Sequence, residues 1–196
     1  MKEIIIQVSE ERPITPRSLF LVGQLLGKSR FIKKCNTMKV DGKRSQSQIK
    51  NSDILLSYIG LLCQGKTAYE DIRKMSEDLD YYERALGITS NIPSAETLRQ
   101  RMDDIGSSLR RNILDVNVEM FHTYNMEPTP ISEEFVPVDL DVTPMDNSKN
   151  HKEGVSYTYK GFFGYAPMMA YIGAEGFLVN TELRRKQQND HHADRV

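Results

Sequence analysis

The sequence predicts an α+β protein in which an all-α N-terminal part precedes a set of antiparallel strands. Apolar residues recur at helical spacing through residues 13–125, and further along they alternate at every second position. A segment with two prolines, residues 126–132, separates the two patterns. We therefore expect a helical domain over residues 1–127, the first strands of a second domain over 128–184, and a polar, disordered tail over 185–196.

The composition is that of a globular chain. It has 196 residues, of which 39% are apolar and 27% charged, and its net charge is −1. No apolar run reaches the ~18 residues of a membrane span, and the N-terminal residues lack the long apolar stretch of a signal peptide. Two cysteines, Cys35 and Cys63, are too few for a disulfide framework or a cysteine zinc site. We expect free thiols, a cytoplasmic location and no membrane partner.

The first helix follows a short β-rich run at residues 3–8. Thr15 as N-cap and Pro16 at the first helical position predict its start, and its apolar positions extend to Phe31 and Ile32. A polar loop is expected over residues 40–50.

Three shorter helices and one long helix complete the helical part. Ser52 or Asp53 is expected to cap the first of them, and Gly65 to end it. Short helices follow over 67–75 and 79–86, the second with Gly87 as C-cap. The long helix opens at Pro93-Ser94, and its apolar stripe consists of Leu98, Met102, Ile105, Leu109, Ile113 and Val116.

Strands are expected after the proline segment. Residues 135–143 alternate, with Val138, Leu140 and Val142 on one face and Asp139 and Asp141 on the other. Further strands over 155–160, 166–173 and 177–183 are expected to pair antiparallel, because their connections are too short for a crossover helix. Residues 144–154 are expected to form a polar loop.

The near-neutral total conceals a basic segment at residues 17–50. It holds nine basic residues and one acid, Asp41, a net charge of +8. Polyanion affinity comes mainly from Lys and Arg that neutralise phosphates, so this segment is a candidate DNA-binding surface. A solvated basic face without a partner fits the same charge pattern equally well. The basic residues are Arg17, Lys28, Arg30, Lys33, Lys34, Lys39, Lys43, Arg44 and Lys50.

Asp139 and Asp141 are the strongest candidate for a catalytic or metal site. Two carboxylates one residue apart on a strand project from the same face, and their mutual repulsion favours a bound cation. Mg²⁺ prefers such oxygen ligands together with substrate phosphates. Taken alone, the spacing favours a solvated acidic face over a metal site.

The other candidates have simpler interpretations. Asp146 is expected to be a turn residue, His151 a loop residue, and His191-His192 part of the polar tail. An aromatic segment is expected to form core packing or a hairpin face, with nucleic-acid stacking as the alternative. Its members are Tyr157, Tyr159, Phe162, Phe163, Tyr165 and Tyr171.

The run VPVDLDVTPMDNSKNHKEGVSYTYKGFFGYAPMMAYIGAEGFLVNTELR resembles the start of the catalytic domain of DDE-type insertion-sequence transposases. More narrowly, it is similar to the bacterial DDE group 1 family, which has an RNase H-like core. IPSAETLRQRMDDIG is similar to that family's helix entering the catalytic domain. The resemblance spans roughly residues 15–184 and is most specific over 137–184.

The resemblance implies a DNA transposase. The first Asp of its catalytic triad lies on the first strand, here Asp141, with Asp139 as the alternative. It also implies two Mg²⁺ ions that assist in-line cleavage and transfer of a DNA strand. The implied partner is the terminal inverted repeats of the element, bound by the basic segment, and self-association and a nucleoid-associated location are further expectations.

The chain departs from the family after Leu183. Family members supply a second Asp and a Glu from later elements, whereas Arg184–Val196 is polar and Asp190 and Asp194 are not expected to replace them. We therefore expect a truncated, inactive chain that binds Mg²⁺ poorly alone and leaves one apolar face of its sheet uncovered. The alternative is a non-catalytic DNA-binding remnant that binds element ends or interferes with full-length transposase.

Overall fold

A computed structural model describes residues 18–40, 48–132, 135–149 and 152–183. Contacts within the chain divide it into two compact units, Met1–Val116 and Asn117–Val196. We call them the helical unit and the sheet unit and describe each by itself. The expectations that lie outside the described residues are the strand at 3–8, the helix start at Thr15-Pro16 and the tail at 185–196.

The described residues contain six α-helices and one short 3-10 helix. In chain order these are α1 (Ser18–Lys28), α2 (Phe31–Thr37), α3 (Asn51–Cys63), the 3-10 helix (Tyr69–Asp71), α4 (Ile72–Glu77), α5 (Leu79–Leu86) and α6 (Ala95–Thr123). Local signals account for several of the boundaries. Gly87 ends α5 with a φ of 76°, and the Ser94 hydroxyl accepts a hydrogen bond of 3.2 Å from the backbone N–H of Thr97.

The single helix expected to run through Phe31 and Ile32 is two helices, α1 and α2. The hydroxyl of Ser29 donates to the Leu26 carbonyl at 2.8 Å, at the end of α1. The same oxygen accepts from the backbone N–H of Phe31 at 3.2 Å and so caps the start of α2. One serine therefore contacts the end of α1 and the start of α2, and Phe31 is buried in the core.

Neither Ser52 nor Asp53 caps α3, as the sequence had suggested; both lie inside its first turn. The Lys50 carbonyl accepts from the backbone N–H of Asp53, and the N–H of Ser52 donates to Oδ1 of Asn36 at 3.0 Å. Asp53 is buried instead, because its carboxylate accepts hydrogen bonds from the loop that precedes α6. Gly65, with a φ of 69°, follows the helix as expected.

Five helices, α1 and α3 to α6, contribute aliphatic side chains to the core of the helical unit. The remaining helix, α2, contributes Phe31 and Cys35. A Cβ added at Gly23 of α1 would lie 1.9 Å from the Ala85 carbonyl oxygen of α5, so these helices meet backbone to backbone. The most deeply buried apolar side chains are Leu19, Ile54, Leu56, Leu61, Ile72, Met75, Leu86, Leu98 and Ile105.

The sheet unit contains two small antiparallel sheets. The strands are β1 (Val138–Val142), β2 (Met145–Asp146), β3 (Ser156–Tyr157), β4 (Phe163–Tyr165), β5 (Met168–Ile172) and β6 (Phe177–Glu182). One sheet has the order β1-β5-β6 and the other β2-β4-β3. The antiparallel pairing is confirmed. The chain leaves the first sheet between β1 and β5 to form the second sheet. Residues 144–154, expected to be a polar loop, contain β2.

The sheet unit buries few large apolar side chains. Over the part of 117–183 that the structure describes, no Leu, Ile, Val, Met, Phe or Tyr is fully buried. Val138 and Leu140 of β1 are 65% and 61% exposed, whereas Phe177 of β6 contacts Phe121 of α6, so the expected uncovered face is open at β1 and contacted at β6. In the described part of the chain, no helix is long and apolar enough to cross a membrane.

Candidate functional site

The two candidate aspartates lie on β1, the first strand of the three-stranded sheet. Asp139 is paired with Tyr171 of β5, and Asp141 with Met169. Both aspartates are exposed, and alternation along β1 places them on the face opposite Val138 and Leu140. The structure therefore brings the two carboxylates to one open surface of the sheet.

Contacts at the end of β1 distinguish Asp141 from Asp139. The hydroxyl of Thr143 donates to Oδ2 of Asp141 at 3.1 Å. The backbone N–H of Thr143 donates to the Pro167 carbonyl at 3.1 Å, which fixes the residue that orients Asp141. The Tyr159 hydroxyl donates to the Val142 carbonyl at 3.2 Å, between these two residues. Of the two aspartates, Asp141 therefore lies nearer the end of β1 that these hydrogen bonds hold in place.

The donor chemistry fits part of a magnesium site. Two exposed carboxylates suit a hydrated Mg²⁺ that also takes phosphate oxygens. Over the described ranges, no group of three or more His, Cys, Asp or Glu side chains could hold a metal. The residues that fit are therefore Asp139 and Asp141 alone.

The remaining acidic and histidine candidates do not join this pair. Oδ1 of Asp146 accepts from the backbone N–H of Ser148 at 2.8 Å, which is the geometry of a turn residue. That bond and the Ser148 hydroxyl lower the pKa of Asp146. His151 lies outside the described residues, as do Asp190, His191, His192 and Asp194.

A cavity of about 440 Å³ opens on the other face of the sheet. Phe121 of α6 and Ile172 of β5 line it, and Phe121 meets Phe177 edge to face with ring centroids 5.4 Å apart. Because Ile172 is paired with Val138, this cavity faces away from Asp139 and Asp141. It is not part of the candidate metal site.

Five basic residues of segment 17–50 are exposed on the helical unit, and together we call them the basic surface: Lys28, Arg30, Lys33, Lys39 and Lys50. Lys28 ends α1, Lys33 and Lys34 lie on α2, and Lys39 follows it; of these, Lys34 is half-buried and the others are exposed. Arg30 and Lys50 are also exposed, and Nζ of Lys50 donates to the Thr89 hydroxyl at 2.9 Å. Arg17, Lys43 and Arg44 lie outside the described residues.

Two hydrogen bonds join the start of α3 to the carboxyl end of α2, the helix that carries Lys33 and Lys34. Nδ2 of Asn51 donates to the Cys35 carbonyl at 3.3 Å, and Oδ1 of Asn36 accepts from the Ser52 backbone N–H. The last turn of α2 is therefore positioned by tertiary contacts. These contacts fix the backbone from which the exposed lysines project.

Arg101 of α6 also supports α2, which sequence reasoning missed. Arg101 is buried, and its Nη2 donates to Oδ1 of Asn51. Its Nε is buried without a hydrogen-bond partner. The Ser108 hydroxyl donates to the Lys39 carbonyl at 2.6 Å. The buried positions that the structure describes in α6 are Leu98, Arg101, Ile105, Ser108 and Val116, whereas Met102 and Leu109 are only half-buried.

Comparison with known proteins adds no relative. No family model matches the chain, and neither a curated protein nor a solved structure shows significant similarity to it.

Proposed function

We propose that this chain is a DDE-type transposase chain with an RNase H-like sheet, in which the helical unit binds DNA. The observation that carries the proposal is the exposed pair Asp139 and Asp141 on one face of the first strand of an antiparallel sheet. Its sequence context, Asp-Leu-Asp-Val-Thr, resembles the family's first catalytic strand. The hydrogen bond from Thr143 supports Asp141 as the triad residue.

The carboxylates of Asp141 and Asp139 would hold Mg²⁺, which when bound supplies electrophilic assistance to phosphodiester cleavage. The protein's own contribution is orientation. Thr143 holds the Asp141 carboxylate, and the neighbouring carbonyl of Val142 is tied to Tyr159. Because both carboxylates are exposed, a DNA phosphate could approach them directly.

We further propose that this chain does not cleave DNA by itself. The described residues offer two carboxylates at the site and no third ligand. By the family's pattern a DDE site needs an Asp and a Glu in addition to the first Asp. The second candidate function is therefore non-catalytic DNA binding at element ends, which would compete with or interfere with a complete transposase.

DNA binding would reside on the basic surface. Lys28, Lys33 and Lys39 are exposed, and Lys33 projects from a helix whose last turn is held by Asn51 and Asn36. Exposed cations of this kind neutralise duplex phosphates without contacting bases. The proposed ligand is the terminal inverted repeats of the element. A DNA-bound chain would be located at the bacterial nucleoid. We also propose that the chain associates with itself.

The test uses the full chain and a labelled DNA duplex. We expect Lys28→Ala, Lys33→Ala and Lys39→Ala together to weaken duplex binding by about tenfold or more. A matched control removes three exposed bases from α4 and α5, as Arg73→Ala, Lys74→Ala and Arg84→Ala. Equal affinities for the two triple variants would contradict the assigned surface.

A second assay separates catalysis from binding. With Mg²⁺ and the same duplex, we expect no strand cleavage by this chain. Cleavage that requires Mg²⁺ and is abolished by Asp141→Asn would establish transposase chemistry and would contradict the incomplete site.

A further inference from the structure

Three aromatic side chains of the sheet unit are exposed together. Tyr157 of β3 is 62% exposed, Tyr159 is 69% exposed and Phe163 of β4 is 54% exposed. The rings of Tyr157 and Phe163 meet edge to face with centroids 5.2 Å apart. We call these three residues the aromatic platform. Exposed apolar side chains that adjoin one another mark interaction sites more often than isolated ones do.

The hairpin that carries the platform is well defined. Tyr157 and Phe163 are paired across β3 and β4, and the backbone N–H of Thr158 donates to the Phe162 carbonyl at 2.8 Å. Ser156 and Thr158 are buried, so alternation directs Tyr157 and Tyr159 to the solvent. The aromatic rings are thus presented by a hydrogen-bonded turn.

A lysine lies beside one ring of the platform. Nζ of Lys160 lies 5.5 Å from the centroid of the Tyr159 ring. Residues 146–165 contain three lysines, Lys149, Lys152 and Lys160, against two acids, Asp146 and Glu153, and both Lys149 and Lys152 are exposed. A polyanion with flat bases gains from open rings and from the lysine beside them.

The platform is also anchored beside the candidate metal site. The Tyr159 hydroxyl donates to the carbonyl of Val142, the residue that follows Asp141 in β1. An unpaired strand that lay on the platform would therefore pass close to the end of the strand that carries the carboxylates.

We propose that the aromatic platform binds unpaired nucleotides of single-stranded DNA. Bases stack on Tyr157, Tyr159 and Phe163, and Lys160 neutralises the adjacent phosphate. Stacking on aromatic rings together with a basic track is the general basis of sequence-tolerant single-strand binding. The inference deepens the proposed function and rests on it for DNA as the ligand. It adds a site for unpaired nucleotides that is separate from the duplex-binding lysines of the helical unit.

The test measures binding of a fluorescent oligo(dT) to the full chain. Alanine replacement of a stacking residue typically removes one base's contribution, so Tyr157→Ala should weaken binding by roughly 5- to 150-fold. Tyr157→Trp should restore binding. Because the native chain has no tryptophan, the emission of this variant should be quenched when the oligonucleotide binds. Phe135→Ala is the matched control, since Phe135 is 64% exposed and lies before the opposite end of β1, and it should bind like the native chain.

Two results would contradict DNA binding by the platform. One is that the native chain does not bind oligo(dT), or that Tyr157→Ala and Phe163→Ala both bind it as tightly as the native chain does. The other is a change in self-association on sedimentation with oligo(dT) affinity unchanged, which would make the platform a protein interface. The proposed duplex binding fails separately, through the lysine variants of the basic surface, and its failure would leave the oligo(dT) result interpretable.

Discussion

The carboxylate of Asp53, in the first turn of α3, accepts two hydrogen bonds from Ser90, which lies 37 residues further along the chain. The backbone N–H of Ser90 donates to Oδ2 of Asp53 at 2.8 Å and its hydroxyl donates to the same oxygen at 2.5 Å. Thr89 adds a backbone bond of 3.3 Å. Asp53 is fully buried, so this cluster joins α3 to the loop before α6 inside the helical unit.

Asp53→Ala should destabilise the protein strongly. The substitution leaves the N–H groups of Thr89 and Ser90 without their acceptor, and we expect the free energy of unfolding to fall by about 2–4 kcal/mol. Urea denaturation followed by far-UV circular dichroism measures the change. Asp80→Ala is the control, because Asp80 forms an exposed ion pair with Arg84 and its loss should cost below about 0.5 kcal/mol. Similar losses for the two variants would show that the buried cluster adds no stability.

Gly87 and Gly106 should respond to alanine with opposite signs. Gly87 ends α5 with a φ of 76°, and Gly106 lies inside α6; a Cβ added at either would meet no atom within 4 Å. Since steric contact is absent at both, backbone conformation alone decides the result. Gly87→Ala should lower the free energy of unfolding by about 1–2 kcal/mol, whereas Gly106→Ala should raise it by about 0.5–1 kcal/mol. Thermal unfolding of both variants checks this, and a stabilised Gly87→Ala protein would be inconsistent with the left-handed C-cap.

Cys35 should make stability depend on pH in alkaline solution. Burial raises the pKa of the Cys35 thiol from its ordinary value of 9.0 to about 12. Between these values the unfolded chain has lost the proton that the folded chain retains, so the unfolded state is favoured as pH rises. The contribution is fully present below pH 9.0 and is lost towards about 12.

The measurement compares the native chain with Cys35→Ala. Unfolding free energies taken from neutral to alkaline pH should show an advantage of the native chain that is constant below pH 9.0 and narrows above it. Thiol labelling gives an independent reading, because the exposed Cys63 should react in the folded protein and the buried Cys35 only after unfolding. If the unfolding free energies of the two proteins changed in parallel with pH, and both thiols were labelled rapidly in the folded protein, the burial of Cys35 would be contradicted.

The sequence predicted a structural element best where its periodic pattern and the residue that ends it lie in the same short segment. The bounds of α5 and its C-cap at Gly87 follow from eight consecutive residues and one glycine. Alternation in the strand likewise placed Asp139 and Asp141 together opposite Val138. These are short-range consequences of backbone geometry, so the sequence alone is enough.

Other features depend on partners that are distant in sequence. Asp53 looks like a helix cap until the loop at Ser90 supplies its donors. Arg101 looks solvent-facing until Asn51, fifty residues earlier, accepts its hydrogen bond. The second sheet is built from strands of two or three residues, which are too short to show a period of two. For the aromatic rings, the sequence alone does not separate core packing from nucleic-acid stacking, because only the tertiary structure reveals which rings remain exposed.

The salt dependence of duplex binding tests most directly the proposal that the basic surface of the helical unit binds DNA. For the native chain, the logarithm of the association constant should fall linearly with the logarithm of NaCl concentration, because bound lysines release counterions from DNA. Removing Lys28, Lys33 and Lys39 together should make the slope shallower by about 1 for each lysine that contacts a phosphate. A native chain that binds no duplex at low salt, or a slope that is the same for both proteins, would contradict the account.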